Sequence, residues 1–390
     1  MKIVQINTFP YKATGSIMMN IHNELLNENI DSYVIWGRGR KEKNNYEYKM
    51  SNKLSVYIHG LYTRFTDKTG FLSYIDTKKM IKKLNKINPD IIHLHNIHGY
   101  YINIKMLFKY IKEKNIKVVW TFHDCWPFTG HCAYFDMVNC NKWMKECYKC
   151  PQINTYPKSI VDNSKWNYNM KKEIFNYDNL TIVTPCKWLS ELVKKSFFKN
   201  NDVEVIYNGI DKNIFKYTNN KYFKTNKKII LGVASEWTER KGLKDFIKLD
   251  KILNHNKYQI VLVGIDEKTK KNIPNSIITI SRTNNVNELV NIYSSAFVFF
   301  NPTYEDNFPT TNLEAMACNT PVITYNTGGS PESIENNGFV IEKGNYEEVI
   351  NILEKINIKV KYNNVFTKEN MIKNYIELYK KINKKGEKIW

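Results

Sequence analysis

The sequence predicts an α/β chain of two Rossmann-like domains facing each other across a cleft. Short β-branched runs alternate with longer amphipathic stretches, the pattern of parallel strands joined by crossover helices. That alternation restarts partway along the chain. The length of 390 residues also exceeds what one ordinary core organises.

In the first half, strands are expected at 2–7, 31–36, 90–94, 117–122 and 180–184, with helices at 16–28, 77–87 and 101–114. In the second, strands at 228–234, 258–264, 276–280, 296–300, 321–325 and 338–341 alternate with helices at 242–254, 286–295, 311–318 and 345–356. The turn-rich Asn208-Gly209-Ile210-Asp211 joins the halves, so a boundary near residue 212 is expected, giving domains 1–212 and 213–367. A last helix at 368–384 carries Met371, Tyr375, Leu378 and Ile382 at three-to-four spacing. The segment 368–390 is expected to pack back toward the first domain. Ligands of open α/β sheets bind beyond the carboxyl ends of the strands, so chemistry is sought in the loops that follow them.

Composition narrows the partners. Hydrophobic residues at 42% and charged ones at 25% are ordinary for a soluble globular chain. No apolar run approaches the roughly 20 residues of a membrane-spanning helix. Met1-Lys2-Ile3-Val4-Gln5-Ile6 begins directly as a strand, without the apolar region of a signal peptide, so the cytoplasm is the expected compartment. The formal net charge of +20 asks for an anionic partner. Nucleic acid fits poorly, because the lysines are spread along the chain and no aromatic RNP pair or His-paired zinc finger accompanies them. An anionic membrane face or a lipid-phosphate acceptor competes with a merely solvated lysine surface. In the 77–87 helix, Lys78, Lys79, Lys82, Lys83 and Lys86 surround a stripe of Met80, Ile81, Leu84 and Ile87. Like charges at i, i+4 repel mildly, and an anionic surface would compensate them. Peripheral binding at the inner membrane face is the corresponding expectation.

The strongest local signal is Tyr304-Glu305-Asp306-Asn307-Phe308-Pro309-Thr310-Thr311-Asn312-Leu313-Glu314-Ala315-Met316-Ala317. A strand ends just before it and a helix opens within it. Thr310 and Thr311 are good N-cap types, so amide groups and the helix dipole would face a ligand, an arrangement suited to a diphosphate. Asp306 in the loop and Glu314 in the helix are placed to address one ligand of nucleotide-sugar length. An acidic loop followed by a helix with a solvated Glu is the alternative. Further signals are Gly232-Val233-Ala234-Ser235-Glu236-Trp237-Thr238-Glu239-Arg240-Lys241-Gly242, Thr320-Pro321-Val322-Ile323, and Thr327-Gly328-Gly329-Ser330-Pro331-Glu332. In the first half, Thr14-Gly15-Ser16 follows a strand, and Val119-Trp120-Thr121-Phe122-His123-Asp124 ends one. His93, His95 and His98 end another and are read as lining.

Together these segments resemble glycosyltransferase family 4, with its carboxylate-x7-carboxylate motif and G-G-x-x-E continuation. The resemblance implies a GT-B fold and a hexosyltransferase that retains anomeric configuration, with no divalent metal at the diphosphate. It implies that Glu314 binds the donor ribose and that Asp306, with Glu305 beside it, contacts the donor sugar. Thr310, Thr311 and Asn312 would complete the donor site. Lys241 matches the family's phosphate-neutralising Lys. The family Arg falls on Ser235, and Arg240 is the substitute, since a guanidinium clamps phosphate by two hydrogen bonds. Gly15 matches the turn that lets backbone approach the donor phosphates, and His123 the His beside the reacting centre. The donor would be a UDP- or GDP-sugar and the acceptor a saccharide or a polyprenyl-diphosphate-linked saccharide.

Five of the seven cysteines lie between residues 125 and 150. The spacing Cys147-x-x-Cys150, with Cys132 and Cys140, fits a structural zinc ion held by four thiolates; unligated thiols in an inserted loop are the alternative. The stretch from Thr121 through Cys132 to Cys150-Pro151-Gln152 resembles a bacterial subgroup of the family that builds exopolysaccharide, capsule and O-antigen chains, the colanic acid transferases among them. A sugar-nucleotide epimerase or hydrolase of the same architecture is one competing reading. A basic, zinc-containing nucleic-acid-binding protein is another.

Overall fold

The computed structural model describes residues 1–357, 360–362 and 364–384. The chain divides into two compact units. Met1–Ile206 together with the chain from Ile372 onward forms the first, and Tyr207–Met371 the second. The division thus falls at Ile206/Tyr207, a few residues before the position expected from the connector. The expected segment at 385–390 lies outside the described residues.

The first unit runs β1 (Lys2–Asn7), α1 (Lys12–Asn27), β2 (Asp31–Trp36), β3 (Glu47–Lys49), α2 (Lys53–Thr66), α3 (Tyr74–Ile87), β4 (Ile91–Leu94), α4 (Ile104–Glu113), β5 (Lys117–Thr121), α5 (Ser164–Phe175), β6 (Leu180–Thr184), α6 (Lys187–Lys195) and β7 (Asp202–Val205). Its seven strands are parallel in the order β3-β2-β1-β4-β5-β6-β7. Central strands buried on both faces read as continuous apolar runs, and Ile3, Val4, Ile6, Ile91, Ile92 and Leu94 are fully buried. Helix α3 turns Met80, Leu84 and Ile87 into this core and leaves Lys78, Lys79, Lys82 and Lys86 exposed, while Lys83 lies over the Tyr48 ring. Helix α1 starts at Lys12, four residues before its expected start.

The second unit continues with β8 (Lys228–Val233), α7 (Leu243–Asp250), β9 (Tyr258–Val263), α8 (Glu267–Lys270), β10 (Ile278–Ile280), α9 (Val286–Ser294), β11 (Val298–Asn301), α10 (Thr310–Ala317), β12 (Val322–Tyr325), α11 (Ser330–Ile334), β13 (Gly338–Ile341) and α12 (Tyr346–Lys355). The six strands are parallel in the order β10-β9-β8-β11-β12-β13. Strand order therefore reverses between β8 and β11, and the crevice at such a switch point is where ligands of this architecture bind. Helix α13 (Lys368–Lys384) begins in the second unit and from Ile372 belongs to the first. There Tyr375 and Tyr379 are buried, hydrogen-bonding Thr121 Oγ1 at 2.9 Å and His93 Nδ1 at 2.6 Å. Among the described residues no helix is long and apolar enough to cross a membrane.

One polar hub ties the second unit together. Buried Asp245 on α7 accepts hydrogen bonds at Oδ1 from the hydroxyls of Tyr304, Tyr325 and Tyr346, at 2.9, 2.7 and 2.8 Å. These tyrosines come from three different segments, so one carboxylate oxygen fixes the loop after β11, the end of β12 and the start of α12. Asp245→Ala strands three hydroxyls at once and should lower stability by on the order of 3 kcal/mol in chemical denaturation. Asp245→Asn, which keeps an acceptor oxygen, should lose clearly less.

Candidate active site

At the switch point of the second unit, the chain leaving β8 meets the chain leaving β11. Lys241 ends a short 3-10 turn (Glu239–Lys241), and its Nζ donates to Asp306 Oδ2 at 2.6 Å. Arg240 Nη1 lies 3.8 Å from the same oxygen and donates to the Glu305 carbonyl at 2.5 Å. Burial pushes the Asp306 carboxyl up, but the Lys241 and Arg240 charges outweigh it and hold the group below the usual carboxylate range. Asp306 is thus an anion locked to two cations. Glu305 points its side chain into the protein and is buried.

Two glycines make this approach feasible. Gly242 has φ +72°, and a Cβ there would sit 2.2 Å from the Pro302 carbonyl oxygen. Gly328 has φ +54°, and its Cβ would sit 2.0 Å from the Asp306 carbonyl oxygen, which also accepts from Gly329 N–H at 3.1 Å. Neither conformation suits a residue with a side chain. The K-G and G-G pairs of the sequence therefore clamp the Asp306 loop from both sides.

Glu314 lies on α10, eight positions after Asp306, and accepts from the Tyr293 hydroxyl of α9 at 3.0 Å. Burial pushes its carboxyl up to about 7, with the Tyr293 hydrogen bond opposing the shift. Tyr293 was not legible locally, because packing of α9 on α10 brings it across 21 residues. The capping expectation needs correction. Pro309, not a threonine, is the N-cap of α10. Its ring-locked φ of −71° with ψ of 109° is extended, so the helix starts at Thr310, and neither Thr310 nor Thr311 caps it. The Asn312 side chain is fully buried, accepting from Asn301 Nδ2 and donating to Ser333 Oγ, both at 2.8 Å.

In the first unit, His123 follows β5. Its Nε2 lies 3.0 Å from His95 Nδ1, with the rings stacked at 5.3 Å, and His95 Nε2 lies 3.2 Å from Gln5 Oε1. Burial pushes His123 down to about 4, despite the opposing Asp124 charge, so the ring is neutral at physiological pH. His98 pairs with Asp124 at 2.9 Å. His93, buried between Tyr379 and Thr121, is structural. Gly15 is buried in the first turn of α1, and a Cβ would lie 2.5 Å from the Phe9 carbonyl oxygen. The packing of its own β1–α1 loop accounts for that glycine.

The cysteine cluster differs from the four-thiolate expectation. Cys132, Cys140, Cys147 and Cys150 line one small pocket with His131, and all are free. Yet among the described residues no three or more His, Cys, Asp or Glu side chains are arranged to hold a metal ion. The thiols of Cys132 and Cys150 hydrogen-bond one another, and Cys147 Sγ accepts from Gly130 N–H at 3.2 Å. As placed, these residues do not fit a zinc ion.

Parallel α/β sheets of seven and six strands, with paired acid and base at a switch point, define a GT-B glycosyltransferase architecture. Residues 15–213 match the family described as Glycosyltransferase Family 4, and residues 215–373 the one described as Glycosyl transferases group 1. The chain belongs to glycosyltransferase family 4. It is 25% identical over 228 residues to WcaC of Escherichia coli, named for colanic acid biosynthesis, a match covering 54% of this chain and 55% of that protein. It is 27% identical over 185 residues to the capsular polysaccharide biosynthesis glycosyltransferase CapM of Staphylococcus aureus, covering 43% and 49%. The chain thus spans about half the length of these curated relatives. Among solved structures, HepE of Anabaena with UDP and glucose superposes with a TM-score of 0.67 at 14% identity, over 98% of this chain and 100% of that one.

The Glu314 environment has a pH signature. A carboxyl raised by burial in the folded state contributes stability that is fully present below its unfolded value of about 4.5 and lost as pH rises through about 7. Melting temperature should therefore decline across that window more steeply in the native chain than in Glu314→Gln. Parallel profiles would show that Glu314 does not titrate there.

Proposed function

We propose that the chain is a retaining glycosyltransferase that moves a sugar from a nucleoside-diphosphate donor to a saccharide or lipid-linked saccharide in surface polysaccharide biosynthesis. The observation that carries the reading is the Lys241–Asp306 pair at the β8/β11 switch point, with Arg240 beside it and Glu314 one helix turn into α10. A diphosphate arriving there would compete with Asp306 for two cations already gathered, and Asp306 would turn to the sugar hydroxyls. Glu314 would accept from the ribose hydroxyls. Relatives named for colanic acid and capsule, and structural neighbours holding UDP or UDP-glucose, support the donor and pathway class.

In the transfer step, the bond from the anomeric carbon to the diphosphate oxygen breaks as the acceptor oxygen bonds that carbon on the same face. The acceptor proton passes to the departing phosphate. Lys241 and Arg240 would stabilise the charge that develops on the leaving group, the usual largest contribution of fixed electrostatics to a rate. His123, neutral and hydrogen-bonded to His95, would offer a ring nitrogen to the reacting sugar without adding charge.

Release of UDP or GDP from a panel of nucleotide sugars, with and without acceptor, tests the reading. Lys241→Ala should lower turnover at least about tenfold, and Glu314→Ala should weaken donor binding in calorimetry. His123→Ala should reduce turnover with the melting temperature little changed. Donor consumption that is indifferent to any acceptor would point to a hydrolase or epimerase instead.

A further inference from the structure

Helix α2 is folded inside out. In an ordinary surface helix the apolar stripe faces the core. Here the residues buried against the first unit are His59 and Thr63, both 0% exposed. His59 is satisfied at both ring nitrogens, Nδ1 lying 2.7 Å from Ser73 Oγ and Nε2 accepting from Gly70 N–H at 3.2 Å. Ser55 hydrogen-bonds buried Asp76 of α3. The apolar stripe of Leu54, Tyr57, Ile58, Leu61 and Phe65, at i, i+3, i+4, i+7 and i+11, points outward instead, each residue 41–66% exposed.

Neighbouring segments extend this surface. Tyr74 and Ile75 are exposed at the start of α3, next to the Ser55–Asp76 bond. Ile160 and Val161 are exposed beside the end of α2, where Ile160 N–H donates to the Arg64 carbonyl at 2.9 Å. One flank of α2 walls a cavity of about 640 Å³, whose lining includes Phe9, Tyr11, Arg38, Lys49, Tyr57 and Leu61.

Charge selects the occupant. Residues 53–66 contain Lys53 and Arg64 and no carboxylate. The nearest acids in sequence, Glu47, Asp67 and Asp76, are buried. Arg38 and Lys49 add cations at the cavity, and neither forms an ion pair among the described residues. A second copy of a chain carrying +20 would be repelled from such a face. An anionic bilayer offers both requirements, hydrocarbon for the stripe and phosphate for the cations, with tyrosines at the level of the headgroups.

We propose that α2, with the exposed residues at 74–75 and 160–161, is an interfacial helix that lies in the surface of an anionic bilayer and holds the mouth of the adjoining cavity at the lipid headgroups. This deepens the proposed transferase reading by naming the surface on which a lipid-linked acceptor would be met.

Co-sedimentation with vesicles of phosphatidylglycerol and phosphatidylcholine tests it, using the full chain. The double variant Ile58→Ser/Phe65→Ser changes exposed positions only, so its melting temperature should match the native chain. Its partitioning should fall at least about tenfold at low salt, as removal of two inserted apolar groups implies. Lys53→Gln/Arg64→Gln should weaken binding mainly at low ionic strength. Some binding by the native chain should persist at about 0.5 M salt, where screened charges alone would let go. Unchanged partitioning of the double variant, or complete release by salt, overturns the proposal. So does a native dimer in sedimentation velocity that the double variant dissociates without any effect on vesicles. Nucleoside diphosphate release with a water-soluble acceptor should be the same in the native chain and the double variant. Absence of release in both would sink the transferase reading and leave the vesicle result readable.

Discussion

A carboxylate that water reaches poorly must find positive charge, and Asp306 finds it in Lys241 and Arg240. Much of the second unit's active edge follows from that pairing. Bringing the β8 loop and the β11 loop within 2.6 Å demands that Gly242 touch Pro302 and that Gly328 touch the Asp306 backbone. Both contacts exclude a Cβ. Behind the pair, Asp245 gathers three tyrosine hydroxyls and keeps the loop after β11 from drifting. A partly buried ion pair contributes little net stability, because desolvation offsets most of the attraction. Its retention at the mouth of a switch-point crevice is better understood as stored charge, available when an anionic ligand displaces one partner.

The first unit solves the opposite problem. His93, His95 and His123 lie close enough that charging any of them would repel the others, and burial pushes all three down. His95 and His123 share a hydrogen bond and Gln5 holds the far side of His95, while His93 packs on the His95 ring at 4.1 Å and is held by Thr121 and by Tyr379 of α13. The last helix thus supports the histidines from behind while its outer lysines pair with Glu28 and Glu204. A neutral histidine can accept or donate a hydrogen bond without adding charge.

How much of this was legible in the sequence depended on distance along the chain. The alternation of strands and helices carried the two-unit α/β architecture, because each period is local. The acid, lysine and glycine spacings at 232–242 and 304–332 were legible for the same reason. What escaped was set by packing between distant segments. Tyr293 under Glu314 and the Asp245 hub have no local signature. The inward hydrogen bonds of Asn312 to Asn301 and Ser333 have none either. The four cysteines had the spacing of a zinc site, but spacing does not fix where the sulfurs point.

Helix α2 shows most sharply what periodicity omits. A 3.6-residue apolar period states that one face differs from the other; it does not state which face meets the core. Fully burying a Leu, Ile or Phe side chain is worth about 1.5–3 kcal/mol, so Leu54, Ile58, Leu61 and Phe65 left outward represent a large unrealised stabilisation. The fold nevertheless turns His59 inward, where Ser73 and Gly70 satisfy both ring nitrogens. Rotating the helix to hide the stripe would abandon those bonds and leave the His59 ring nitrogens and their partners to be satisfied elsewhere. The inverted orientation is therefore locally enforced, and the outward stripe is available to whatever apolar phase the protein meets. That the cationic cavity opens along the same helix places the two features within reach of one amphiphilic molecule, apolar along its tail and anionic at its head.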